Sequence, residues 1–284
     1  MADTPWQRLG NRFTLGLRAC PADQWLALAD AFGDDGRAAD QLRQKAELLD
    51  SRHSDVFAHR PDGDAASTET LRMVEDQLRL QQRPTPELAE VLHPLERAAR
   101  MVPEDLLLLA PRPRHDADGL KDWVLVAAAL AFPAHWVLAE KMGRPLAGIH
   151  EPVPHYGEIL ETPMDRFFTT MKVGPISQRW NWSVMTENKL FTPHRARRTP
   201  LAANAGIDEI FIRMEHQTLR KLGDSGCILF TIRTYIEPLT RWASVPGAAQ
   251  SLADSLAGMT PQMRDYKGVA MFEEALLAHL AVAS

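Results

Sequence analysis

Apolar residues recur at helical spacing through the first third of the chain. Ala38, Leu42, Ala46 and Leu49 predict a helix over residues 37–50. Leu71, Val74 and Leu78 predict another, opening at Ser67 and stopping before Pro84. Leu88, Val91, Leu92, Leu95 and Ala99 predict a further one over residues 87–100, and Pro21-Ala22-Asp23 marks a helix start over 24–29. The pattern then changes. Leu106–Leu109 is a short apolar run bounded by prolines, and residues 112–119 read as a turn-rich link. The stretch 123–131 reads as a buried strand followed by a proline turn. Residues 145–163 hold Pro145, Pro152, Pro154 and Pro163 and predict a long stiff loop. A helix is expected over 164–172 and a strand over 177–186. Residues 246–258 and 269–282 are expected to close the chain as helices.

Polar residues intrude on this pattern most sharply between 213 and 235. Arg213 and Glu215 alternate with Ile212 and Met214, so in an extended chain the charged pair shares one face. Leu219 and Leu222 return to helical spacing, and residues 223–226 form a glycine-bounded break. Residues 227–235 then read as a strand, with Arg233 and Tyr235 on one face. The expectation is that Arg213, Glu215, Arg233 and Tyr235 converge on one wall of a sheet. Charged groups enter such positions when they are paired or bind something. Helices packed against a sheet give an α+β class. The reading is a single domain over 1–284, helical over 1–102 and sheet-containing over 103–284.

Composition narrows the function. A net charge of −5 in 284 residues supplies no basic field for nucleic acid. The basic run 194–198 reads as a solvated loop or a dock for an acidic partner protein. The two cysteines, Cys20 and Cys227, form no Cys-x-x-Cys and no Cys-x-x-Cys-His. This excludes a zinc ribbon, a cysteine-ligated cluster and covalently attached haem. With no signal peptide at the start, a reducing, cytoplasmic location is expected. Residues 123–139 lack Asp, Glu, Lys and Arg, but Pro133 and His135 interrupt them, so a membrane span is not expected. No Gly-x-Gly-x-x-Gly follows a strand and no P-loop occurs, so no nicotinamide or flavin site is legible.

Several segments together carry a family resemblance. They are Leu15-Gly16-Leu17-Arg18 with Trp25, and Trp123 with Phe132-Pro133-x-x-Trp136 and Glu140-Lys141-x-Gly143. They continue with Ile149-His150-x-Pro152-Val153-Pro154-x-Tyr156, Arg179-x-Asn181-Trp182, Arg213-x-Glu215-x-Gln217-Thr218-Leu219, Phe230-Thr231-Ile232-Arg233-Thr234-Tyr235 and Tyr266-Lys267-Gly268. In this order the chain resembles the haem-dependent oxidative N-demethylase family over nearly its whole length. It departs from the family pattern at His155, His216 and Gly223. The resemblance implies a PAS-like sheet and a non-covalent haem b. It implies a monooxygenase that uses O2 to oxidise a small secondary amine such as dimethylamine at its methyl carbon, releasing formaldehyde. Electrons would come from a separate reductase. A non-catalytic haem-binding or gas-sensing protein is the alternative.

Within that frame, His150 is the candidate iron ligand, with His135 and His93 as rivals among ten histidines. Arg179 and Arg233 are candidates to meet haem propionates, since guanidinium pairs well with carboxylate, and Arg213 is a further cofactor-binding candidate. Asn181 and Trp182 fall in the same signature and are further cofactor-binding candidates. Trp182 is equally a core residue. All three tyrosines lie in signature segments, and Tyr156 and Tyr235 are candidate proton donors. Glu215 is the candidate carboxylate for a substrate ammonium, or else the partner of Arg213.

Overall fold

Mostly short apolar or alternating segments pair into one antiparallel sheet. In the computed structural model, which describes residues 4–6, 15–26, 36–114, 119–194 and 199–283, the strands are β1 (Arg18–Cys20), β2 (Phe57–His59), β3 (Asp105–Pro113), β4 (Lys121–Ala129), β5 (Ile176–Met185), β6 (Phe211–Lys221) and β7 (Ile228–Pro238). Their order is β1-β5-β6-β7-β3-β4-β2, and every neighbouring pair is antiparallel. The α+β expectation is met. The helical first third contributes more than helices, because β1 and β2 close the two edges of the sheet.

The two faces are covered differently. On one, Leu107, Leu109, Leu125, Leu219 and Ile228 pack against Leu138, Leu146, Ile149, Met164 and Phe168 of the segment between β4 and β5. On the other, Leu106, Leu108, Ala127 and Leu229 meet Leu49, Leu71, Val74, Leu78 and Leu95 of the N-terminal helices. Further along that second face, Trp182, Val184, Ile212, Met214 and Tyr235 meet Trp6, Leu252, Leu256, Phe272 and Leu276. The central strands β3, β4, β6 and β7 therefore bury residues of both faces.

Most predicted helices are present: Arg37–Ser51, Asp64–Leu80, Glu161–Thr170, Ala248–Ala257 and Glu273–Ala283. The buried stripe of the first includes Gln41 and Lys45 beside Ala38 and Leu49. Lys45 is buried because it donates to the carbonyls of Val102 (3.0 Å) and Glu104 and faces Asp105 at 3.7 Å. Asp105 in turn accepts the backbone N–H groups of Ala131 and Phe132, tying down the chain where it leaves β4. Glu69 is buried for a similar reason, since it accepts from the backbone of Asp224 and Ser225 and holds the turn between β6 and β7.

Three expectations need correction. Residues 87–92 are not helical, and the helix there is Pro94–Met101. Proline is at home in the first helical turn, and His93 caps it by accepting from Leu95 N–H, so the helix starts inside the periodic run and keeps only its Leu95 and Ala99. The stretch 145–163 is not a plain loop. Pro145 precedes a short helix, Leu146–His150, and a π-helical turn follows at Tyr156–Leu160. The leucines Leu219 and Leu222 do not start a helical turn, because β6 continues to Lys221. The predicted basic run and the start of the helix after Pro21 fall partly on residues 195–198 and 27–35, outside the described residues, as do 115–118 of the 112–119 link. Among the described residues, no helix is long and apolar enough to cross a membrane.

Candidate functional site

Strand register decides which polar residues meet. In an antiparallel pair, residues directly opposite each other project to the same face. Arg179 lies opposite Gln217, Asn181 opposite Glu215, and Ser183 opposite Arg213. Across the next ladder Glu215 lies opposite Thr234 and Arg213 opposite Ile236. Arg179, Asn181, Arg213, Glu215 and Gln217 thus share the face covered by residues 138–171. Arg233 lies opposite His216, and Tyr235 opposite Met214, on the other face. The expected single wall of Arg213, Glu215, Arg233 and Tyr235 is therefore corrected. Each pair does alternate as predicted, but the register sets Arg233 and Tyr235 back to back with Arg213 and Glu215.

The two groups live in different chemistry. Arg213 is 1% exposed and fully engaged, donating to the carbonyls of Phe132 (2.5 Å) and Leu190 (3.3 Å), to Thr234 Oγ1 (3.2 Å) and to Glu215 Oε1 (3.1 Å). Glu215 also accepts from Gln217 Nε2 (2.9 Å) and Asn181 Nδ2 (3.4 Å). Burial opposes its charge, yet Arg213 and these donors outweigh burial and hold the carboxyl below the usual range. Glu215 is an ionised carboxylate. On the opposite face Arg233 is 2% exposed, with Glu104 the nearest carboxylate at 3.9 Å and no hydrogen-bond partner for its guanidinium nitrogens. Tyr235 stacks on Trp180 there, and Trp182 packs edge-on to Trp6. Trp182 is a core residue of the second face.

His150 completes the first group. It is the last residue of the helix Leu146–His150, and its ring turns back to the carbonyl of Leu146 at 2.9 Å through Nδ1. A carbonyl only accepts, so Nδ1 carries the proton and Nε2 keeps a free lone pair. This is the arrangement in which a histidine serves a metal, one nitrogen oriented by a carbonyl and the other available. Tyr156 lies flat against the ring, with centroids 4.5 Å apart and planes at 8°. Burial, followed by the positive charges of Arg179 and Lys141, lowers the His150 pKa, and the imidazole is neutral. The Tyr156 hydroxyl is buried without a hydrogen-bond partner, and burial with Asp165 and Glu161 raises its pKa.

Electrostatic coupling draws the set together. Arg179 acts on His150, Glu215 on Arg179, and both Glu215 and Arg179 act on Lys267. His150, Arg179, Asn181, Glu215 and Gln217 are crowded by protein yet keep accessible surface. That combination marks side chains at the margin of the core rather than within it. Gln217 is a member that sequence reasoning missed, and Lys267, whose Nζ donates to the carbonyl of Trp182 at 3.0 Å, is a charged neighbour that it missed. Gln217 continues the Arg213–Glu215 alternation and was hidden by the helical spacing of the leucines. Lys267 stands in a quoted signature, but nothing in its local sequence ties it to β5.

The rival histidines are placed elsewhere. His135 has its Nδ1 3.4 Å from the carbonyl of His194, at a left-handed backbone position. His93 and His59 share Asp64 Oδ1 at 3.2 and 3.1 Å. Among the described residues these three form the cluster whose donor atoms could surround a metal ion. His93 Nδ1 already accepts the Leu95 N–H, so its Nε2 carries a proton and donates to Asp64. The cluster is wired as hydrogen bonds, not as a ligand set.

A neutral histidine with one nitrogen oriented by a carbonyl and the other free, within electrostatic reach of an arginine, is a donor set that suits an iron porphyrin with acidic side arms. The family model described as haem-dependent oxidative N-demethylase, alpha subunit-like, matches residues 76–277, a span that contains His150, Arg179, Glu215 and Lys267. The chain belongs to the haem-dependent oxidative N-demethylase, alpha subunit-like family.

Proposed function

We propose that this protein is a haem b monooxygenase that oxidatively demethylates a small secondary amine, dimethylamine being the simplest, with electrons from a separate reductase. The observation that carries the reading is His150, whose Nδ1 is committed to Leu146 and whose Nε2 is free beside the polar face of β5 and β6. His150 would ligate the iron and Arg179 would meet a propionate. When bound, haem b supplies the O2 activation needed to oxidise a carbon next to an amine nitrogen. The chain's own groups do the rest. Residues 138–171 exclude water from the recess, and Tyr156 holds the His150 ring in plane by stacking. Glu215, with Asn181 and Gln217, offers a negative, hydrogen-bonding patch for the amine nitrogen. Tyr156, lying against the ligand histidine, is assigned this orienting role rather than proton delivery.

The word subunit in the family name supports a protein partner for electron supply. Both cysteines are buried and free, in keeping with a cytoplasmic, reducing location. A PAS-like core is also part of this reading. It is supported by the antiparallel block β4-β3-β7-β6-β5, whose helical insertion after β4 covers one face.

The test is an absorption spectrum of haem-reconstituted protein, oxidised and reduced. A Soret band that shifts on adding dimethylamine, and that is lost or displaced in a folded His150→Ala variant, is the expected result. An unchanged spectrum in that variant refutes the ligand assignment. Reduction by NADPH alone at a catalytic rate refutes the separate reductase. Tight haem binding with no formaldehyde formed when reductase and amine are present refutes the enzymatic reading.

A further inference from the structure

The second face of the sheet carries a polar band between its two apolar clusters. On β7, Thr231 and Arg233 stand between Leu229 of one cluster and Tyr235 of the other, and their cross-strand neighbours on β6 are Thr218 and His216. Much of the band is satisfied internally. The hydroxyls of Thr218 and Thr231 bond each other at 2.6 Å, and His216 Nε2 meets Gln178 Oε1 at 2.7 Å. The helix Arg37–Ser51 lies over it. Gln41 Nε2 donates to the carbonyl of Thr234 at 2.6 Å, and Lys45 Nζ, one turn on, donates to the carbonyl of Glu104. Glu104 Oε1 in turn lies 3.9 Å from Arg233 Nη1, too far for a hydrogen bond.

Three groups there have no hydrogen-bond partner: Arg233 at Nε, Nη1 and Nη2, Glu104 at Oε2 and Gln41 at Oε1. The side chains are 2%, 5% and 2% exposed, so bulk water does not serve them. Buried charged groups without hydrogen bonds are costly. The unmet set is a fork of donors next to two acceptors, one of them a carboxylate. We infer that Arg233, Glu104 and Gln41 form a closed site for a small zwitterionic amino acid. Its carboxylate takes the guanidinium fork, which suits bidentate pairing, and its ammonium has donors enough for Glu104 Oε2 and Gln41 Oε1. A simple anion would leave both acceptors unmet and sit against the Glu104 carboxylate. A simple cation would leave the fork unmet and sit against Arg233. The site is independent of the haem reading, because Arg233 projects to the sheet face opposite Arg179 and Glu215.

The experiment melts the full-length protein, with and without hemin supplied, in millimolar glycine, sarcosine or alanine. Acetate and methylammonium chloride, which each carry half of the charge pattern, are the controls. At least one amino acid is expected to raise the melting temperature of the wild type by about 4–5 °C at about a hundredfold excess over its Kd, equally with hemin and without. Neither control should match it. Arg233→Met and Glu104→Gln should each weaken binding at least about 10-fold in a calorimetric titration. No gain for any of the three amino acids overturns the site and leaves Arg233 and Glu104 bridged by ordered water. An equal gain from acetate or methylammonium, lost in the same variants, overturns the zwitterion. A gain that survives unchanged in both variants, or that appears only with hemin, puts the ligand elsewhere and overturns the assignment. If Arg233→Met does not fold, the double variant Arg233→Met, Glu104→Gln, which strands no charge, is titrated in its place.

Discussion

Replacing Arg213 by methionine isolates the energetics that hold the recess in shape. The side chain is 1% exposed and ties four parts of the molecule together: the exit of β4 at Phe132, the loop at Leu190, Thr234 of β7 and Glu215 of β6. Methionine fills much of the volume but donates nothing. Two carbonyls lose a donor and the Glu215 carboxylate loses its counter-charge. Removing one member of a buried pair costs about 3–5 kcal/mol. For a chain of 284 residues the unfolding entropy is about 0.6 kcal/mol/K, from about 2.1 cal/mol/K per residue. The melting temperature should therefore fall by about 5–8 °C. Glu215→Gln leaves the guanidinium its two carbonyls and Thr234, so it should cost only about 1–2 kcal/mol. The double variant should be less unstable than the sum of the singles by about 1–3 kcal/mol, since the stranded carboxylate is gone. Circular-dichroism melts and urea titrations of haem-free protein read all three, with no contribution from ligand binding. A loss below about 1 kcal/mol in Arg213→Met, or equal losses in the two singles, would refute the claim that Arg213 needs Glu215 less than Glu215 needs Arg213.

Gly63→Ala should destabilise by about 1–3 kcal/mol, because a Cβ there would sit 3.0 Å from the Val126 carbonyl oxygen and 3.3 Å from Ala127 Cβ in β4; unaltered urea stability would count against that packing. Tyr156→Phe removes a buried hydroxyl with no partner and keeps the ring on His150, so haem-free stability should hold steady or rise by up to about 1 kcal/mol; a clear loss would mean the hydroxyl is bonded. His216 is half-buried, stacked on Trp180 and 2.7 Å from Gln178 Oε1, and burial, followed by the charge of Arg233, brings its pKa down to about 4. Between pH 6.5 and about 4 the unfolded chain is protonated at this position and the folded one is not, so stability falls as pH falls through that window. His216→Gln should flatten this limb in urea midpoints taken at several pH values, and an unaltered slope would contradict the assignment.

The sequence by itself determined the classes of element and much of the chemistry. Period-3.6 runs marked the helices at 37–51, 64–80 and 161–170, and alternation put Arg213 with Glu215 and Arg233 with Tyr235. Local spacing suffices for these because a helix face or a strand face is set by neighbouring residues alone. The order of motifs also carried the family. Partnership across strands was decided only in three dimensions. Which of two alternating pairs points at His150 depends on the register of β6 against β7, and a shift by one residue would exchange the faces. Nothing local distinguishes those registers. Buried polar residues were hidden for a related reason. Gln41, Lys45 and Glu69 look solvated in sequence, yet each answers backbone groups far along the chain, at Thr234, Glu104 and Ser225. Lys267 likewise meets β5 only because the C-terminal segment packs there, where its ammonium finds the carbonyl of Trp182.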